Sequence, residues 1–231
     1  MIDVVALGEV LIDFASRGTD ANGYPLMQAL PGGAPANFLA ALTKYGKQTA
    51  FLGKVGDDAF GHLLVGTVKD AGIETRGILI DPTVFTTLAF VTFDASGDRS
   101  FSFARKPGAD TCLRWEDVDK SLIDEARIFH FGTLSLTDDP ARTATQRCVA
   151  YAREAGKLIT CDPNLRKPCG AAKKKPRSRS CGACSRPMWS RSAMTKWNSC
   201  GTAPLRKALT SCCRNSAFLW PWSRWVPRAV C

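Results

Sequence analysis

Asp13, the Gly32–Gly33 pair, Asn37, Arg105, Asn164 and Arg166 are the residues whose types and positions suit a binding site. A carboxylate such as Asp13 accepts hydrogen bonds from two hydroxyls at once, and an amide such as Asn37 both donates and accepts. Glycines without a Cβ let a backbone approach a ligand closely. A guanidinium pairs with phosphoryl oxygens through a planar fork of N–H donors. Each residue also has a plainer reading. Asp13 suits a solvated acid at a strand end, and Gly32–Gly33 a turn. Asn37 suits a helix cap, Asp162 and Asn164 suit turn positions around Pro163, and the two arginines suit surface charge.

The elements around these residues decide between the readings. "DVVALGEVLIDF" is an apolar run that suits a buried strand of a parallel sheet, turning acidic at Glu9 and Asp13. "PGGAPANFLAALTKYG" predicts a tight loop and then a helix stopped by Gly46. "QTAFLGKVG" is the next strand, and "DDAFGHLLVGTVKDAG" a helix opening on two acids that suit its N-terminal dipole. The alternating runs on either side of "DASGD" predict an antiparallel hairpin. "ARIFHFGTLSL", "DDPARTATQRCVAYAREAG" and "KLITCDPN" then form a strand–helix–strand unit. The result is an α/β layer with an accessory hairpin. Ligands bind such sheets at the carboxyl ends of the parallel strands, where Asp13, the Gly32–Asn37 loop, Arg105 and the Asp162–Arg166 segment fall. His62, in a helix, and His130, in an apolar strand, read as structural, and no metal ligands are predicted.

Composition divides the chain in two. The net charge is +10 over 231 residues, yet the 63 residues after Pro168 hold 13 Lys and Arg and no Asp or Glu. They also hold seven of the ten Cys and five of the six Trp. The expected division is therefore residues 1–168 and residues 169–231. The N-terminal apolar run carries Asp3, Glu9 and Asp13, unlike a secretory signal. No apolar stretch reaches the 18 residues of a membrane span. The expected setting is cytoplasmic and reducing.

"PGGAPANFLAALTKYGKQTAFLGKVGDDAFG" resembles the first signature of the PfkB (ribokinase-like) carbohydrate kinases. "VVALGEVLIDF", "GDRSFSFARKPGAD", "IFHFGTLSL" and "CDPNLRKP" resemble further blocks of the fructokinases in that family, in order, over residues 3–168. One departure is Leu39, where the family has a small residue. The resemblance implies a ribokinase-like, Rossmann-type three-layer sandwich with a small β-hairpin lid, here truncated. It implies ATP and Mg²⁺, a small sugar such as fructose as partner, and a homodimer formed through the lid. It places Asp13, Gly32, Gly33, Asn37 and Arg105 against the sugar, and Asn164 and Arg166 facing the transferred phosphate. Ribokinase-like and 2-keto-3-deoxygluconate kinase specificities stay open.

The family takes its catalytic base from an Asp in a late "GAGD"-type loop and places a Glu near magnesium in an "N-x-x-E"-type segment. Residues 169–231 contain neither acid, so no catalytic residue is assigned and the chain as written is expected to be inactive. Those residues are expected to be disordered. Cys181-x-x-Cys184 lacks a His and a good second pair for zinc. "KKKPRSR" and the Trp-rich end would suit nucleic acid, but no nucleic-acid partner is expected, because a frame error accounts for charge, Cys and Trp together. With the reading frame displaced by one base, Met188–Trp189 must contain a Val codon, Met194–Thr195 an Asp codon and Trp197–Asn198 a Glu codon. "PCGAAKKKP" permits "LWGSEEEA", "PMWSRSAMTKWNSCG" permits "DVVKISDDEVEFLW", and "WPWSRWVP" permits "AVVTLGP". Acids and amphipathic order return together. The alternatives to an enzyme are a non-catalytic, sugar-binding or regulatory relative of the kinases and, ranked below it, a nucleic-acid-binding protein acting through the basic tail.

Overall fold

The computed structural model describes residues 1–93 and 99–163. They all fall in the first of two units, Met1–Lys174; the second, Lys175–Cys231, lies outside the described residues. Asn164, Arg166 and the expectation of disorder over 169–231 lie outside them too.

Strands β1 (Ile2–Leu7), β4 (Thr49–Gly56), β5 (Ile78–Asp81), β8 (Ala126–Gly132) and β9 (Leu158–Asp162) form one parallel sheet in the order β5-β4-β1-β8-β9. Val4 and Ala6 of β1 share a face with Phe51 and Val55 of β4, and pack with Ala36 and Leu39 of α1 (Ala34–Lys44) and Leu64 and Val68 of α2 (Ala59–Asp70). Period-two alternation turns Val5, Leu7, Phe129 and Phe131 to the other face, where all four are buried. Helices α3 (Lys120–Glu125) and α4 (Ala141–Glu154), which pack on β8, cover that side. Three layers result, as the resemblance implies. Leu39 is fully buried in the α1 layer, so the departure from a small residue is absorbed in packing.

The apolar run at the N-terminus is not one strand. It breaks at Gly8–Val10, β1 entering the parallel sheet and β2 (Leu11–Thr19) a second sheet. At the break, a Cβ on Gly8 would stand 2.5 Å from Pro35 Cγ, so glycine lets α1 sit against this turn. The second sheet runs β3-β2-β6-β7, with β3 at Pro25–Gly32, β6 at Leu88–Phe93 and β7 at Arg99–Ala104. The expected hairpin is β6–β7, antiparallel with Leu88 opposite Ala104. It is half of the sheet; β2 pairs with β6 in parallel and β3 closes the other edge. The expected loop at Pro31–Gly32 is the end of β3, an edge strand where proline removes no interior ladder bond. Strand β8 stops at Gly132 rather than running through Leu136. Ser135 Oγ donates to Gly132 O at 2.8 Å and Thr137 Oγ1 to Leu134 O at 2.8 Å, winding Thr133–Leu136 into a 3₁₀ turn.

Candidate functional site

The chain leaves the parallel sheet after β1, crosses to the second sheet in β2, and returns along β3 into α1. Asp13, Gly32, Gly33 and Asn37 all lie on this excursion. Asp13, half-buried, pairs with Leu30 of β3 and Ala89 of β6 in register. Its carboxyl lies so close over Gly32 that a Cβ there would collide with Oδ2 and stand 3.0 Å from Cγ. Gly33 caps α1 with φ +118°, and a Cβ on it would run into the carbonyl oxygen of Glu9 and stand 3.0 Å from Val10 Cα. Asn37, exposed one turn into α1, donates its backbone N–H to Gly33 O at 3.0 Å. The structure thus joins Asp13 to Gly32, and Gly33 to Asn37, at one end of the parallel sheet.

Gly33→Ala combines a left-handed φ with a backbone collision. It is expected to destabilise the chain by at least about 2 kcal/mol. Gly46→Ala shares the positive φ but meets nothing within 4 Å, and should cost about 1 kcal/mol. Urea midpoints of the two variants check the difference; equal losses would show that room at Gly33 is not limiting.

Arg105 follows β7 and is buried, not surface charge. Nε and Nη2 both meet Asp110 Oδ2, at 2.8 and 2.7 Å. Nη1 donates to Thr137 Oγ1 at 2.7 Å, and Nη2 also to Leu134 O at 3.0 Å. Asp110 accepts from Thr87 Oγ1 on its other oxygen. The guanidinium therefore clamps the end of the hairpin to the 3₁₀ turns at Ala109–Cys112 and Thr133–Leu136. Nη1 faces the exposed side of the clamp, with Thr137 and Asp138 both exposed and Asp138 Oδ2 3.7 Å away.

Glu9 was not singled out by the sequence beyond its being an acid in an apolar run, which is the signal that marks it. It is buried at the β1–β2 break. Oε1 accepts the Ala34 N–H at 3.1 Å, while Oε2 is buried with no hydrogen-bond partner. Burial pushes its carboxyl up to about 7 against the pull of hydrogen bonds from its own and the Ala34 backbone. His130 on β8 is structural as expected in its packing: Nδ1 meets Thr160 Oγ1 at 3.0 Å and the ring stacks on Phe38 at 4.2 Å. Burial holds it down at about 4. His62 is exposed beside Asp57. Among the described residues no three His, Cys, Asp or Glu groups converge in a way that could hold a metal, so no residue here is assigned to Mg²⁺. No described helix is long and apolar enough to cross a membrane.

The model of the pfkB family carbohydrate kinases matches residues 1–181. "Probable fructokinase-5" of Arabidopsis thaliana is 44% identical over 170 residues, covering 71% of this chain and 52% of its own. The fructokinase of Solanum tuberosum is 44% identical over 167 residues, with 71% and 52% covered. The solved fructokinase of Xylella fastidiosa superposes with a TM-score of 0.69 at 35% identity, covering 74% of this chain and 54% of that one. A putative ribokinase II from E. coli, solved with ATP and Mg²⁺, gives 0.65 at 29% identity, with 72% and 54% covered. The chain spans about half the length of the curated relatives it matches. The parallel sheet, the second sheet and the matched blocks agree, and the chain belongs to the pfkB family of carbohydrate kinases.

Proposed function

We propose that this chain carries the sugar-binding half of a fructokinase-like kinase, whose full reaction is ATP-dependent phosphorylation of fructose or a related sugar. The observation that carries this reading is the Asp13 carboxyl set against Gly32, with the Gly33 turn leading directly to Asn37. A carboxylate and an amide flanking a glycine backbone suit a ligand with several hydroxyls. The four-stranded sheet bearing Asp13 acts as a lid that excludes water when sugar is bound. Its exposed Leu26 and Phe103 suit pairing with the lid of a second copy. Arg105 holds the lid to the core and offers at most its remaining Nη1 N–H to a ligand. Asn164 and Arg166 face the transferred phosphate in this reading, and ATP and Mg²⁺ serve the complete enzyme.

The last acid of the chain is Asp162, so residues 163–231 supply no carboxylate to take the proton from the attacking hydroxyl. That favours a second reading, in which the chain as written binds sugar without turning over ATP. Calorimetry with D-fructose and a coupled ADP assay on the purified chain test both. Fructose binding that is lost in Asp13→Ala, with no ADP formed, is expected; ADP formation above the blank would sink the inactive reading. No fructose binding would sink the sugar site.

The composition change after Pro168 follows from an out-of-frame translation of a longer kinase. Sequencing native DNA and transcript across the codons for Arg166–Ala172 is expected to show one or two bases gained or lost relative to this reading. An unchanged reading frame in both would remove that explanation.

A further inference from the structure

Helix α1 begins at a glycine that has no side chain to cap it. The cap comes from 25 residues earlier, where Glu9 Oε1 receives the N–H of Ala34. The other oxygen is wedged under the helix. A Cβ placed on Gly132, the last residue of β8, would lie 3.2 Å from Glu9 Oε2 and 2.8 Å from Pro35 Cγ. The Glu9 backbone limits the same turn from the opposite side, its carbonyl lying against Gly33. One residue therefore fixes both the backbone and the first turn of the segment that carries Gly32, Gly33 and Asn37.

We propose that Glu9 is a positioning residue of the sugar site: its neutral carboxyl holds the Gly33 turn and the first turn of α1 in place, and charging it releases them. The inference rests on the sugar-site reading for its effect on affinity. A neutral carboxyl tolerates a dry, unpartnered Oε2, whereas a carboxylate there does not. Water is reached only by moving away from Pro35 and Gly132, which loosens the start of α1. The charged groups acting on Glu9 are Asp110, which favours the proton, and Arg105, which opposes it and is itself paired with Asp110. The first turn of α1 contributes no acid. Strand β8 carries Arg127 and His130, and β2 carries Asp13 and Arg17. Burial raises the carboxyl to about 7, which places the change near neutrality.

The test uses the full chain, D-fructose calorimetry, and amide exchange of a peptide spanning residues 30–40, with an α4 peptide as reference for global opening. From about pH 6 to about pH 8, wild-type affinity should fall about fivefold, at the low end of couplings between sites. Protection of residues 30–40 should fall in parallel, relative to α4. Glu9→Gln should flatten both profiles. Glu9→Ala should lower protection of residues 30–40 at every pH. If wild-type protection is flat with pH, or Glu9→Gln keeps the wild-type dependence, the proposal is overturned. If fructose does not bind at any pH while protection follows pH and flattens in Glu9→Gln, the positioning role of Glu9 stands and the sugar-site reading falls. Should Glu9→Ala fail to fold, the wild-type and Glu9→Gln profiles decide.

Discussion

Replacing Arg105 by Ala is expected to destabilise the chain by about 3–5 kcal/mol, the range for breaking one side of a buried ion pair. The Arg105 and Asp110 side chains are 7% and 2% exposed. Losing the guanidinium leaves the Asp110 carboxylate buried with Thr87 as its side-chain partner among the described residues, and strips donors from Thr137 Oγ1 and Leu134 O. Arg105→Lys should recover only part of the loss, because one ammonium cannot span three acceptors that a planar fork reaches. Arg105→Ala/Asp110→Ala together should cost less than the sum of the single changes, since neither then leaves a bare charge. Urea unfolding of the four variants measures this. A single-variant loss below about 1 kcal/mol would match an exposed ion pair and would return Arg105 to the surface-charge reading. The consequence is mechanical: the same contacts fasten the end of β7 to the parallel-sheet core, so weakening them is expected to free the second sheet before it unfolds the core.

The second large effect is a pair of opposed pH dependences. Glu9 is raised from 4.5 to about 7. Its folded form binds the proton more tightly than the unfolded chain does, so the stability it contributes is full below about pH 4.5 and is lost as pH rises to about 7. His130 is lowered from 6.5 to about 4. Its contribution is full above about pH 6.5 and is lost as pH falls to about 4. Each shift corresponds to about 3 kcal/mol across its window. Over the shared range the two slopes cancel, and the wild-type contribution from this pair should be flat. Glu9→Gln should unmask a rise in stability of about 3 kcal/mol from about pH 4 to 6.5, and His130→Asn a fall of similar size from about pH 4.5 to 7. The carboxyls of Asp58 and Asp81 are held below the usual carboxylate value by hydrogen bonds and act under that window. Urea midpoints at intervals across the range check the slopes. Identical profiles in wild type and Glu9→Gln would mean that Glu9 is hydrated and not buried.

Elements with a strong local period were legible. The helix from Ala34, the acid-capped helix after Asp58, the hairpin around "DASGD" and the β8–α4–β9 unit each carry their own pattern of apolar spacing and caps. Where Gly8, Pro31 and Ser135 decide the outcome, the pattern misleads. "DVVALGEVLIDF" reads as one strand because nothing local shows that Pro35 must rest on Gly8. "PLMQALPG" has no clean alternation, and becomes β3 only because β2 offers it a partner.

The residue types of the candidate site are read from the chain alone: an acid in the first apolar run, two glycines, an amide one helical turn later, and the loss of every acid after Asp162. Residue type and spacing along the chain carry that information directly. That Arg105 is a buried clamp and that Glu9 caps a helix 25 residues away emerges from the packed fold alone. Both depend on desolvation and on partners brought from distant segments. A carboxyl or guanidinium has the same formula at the surface and in the core, and its charge, strength and role are set by what the fold packs around it.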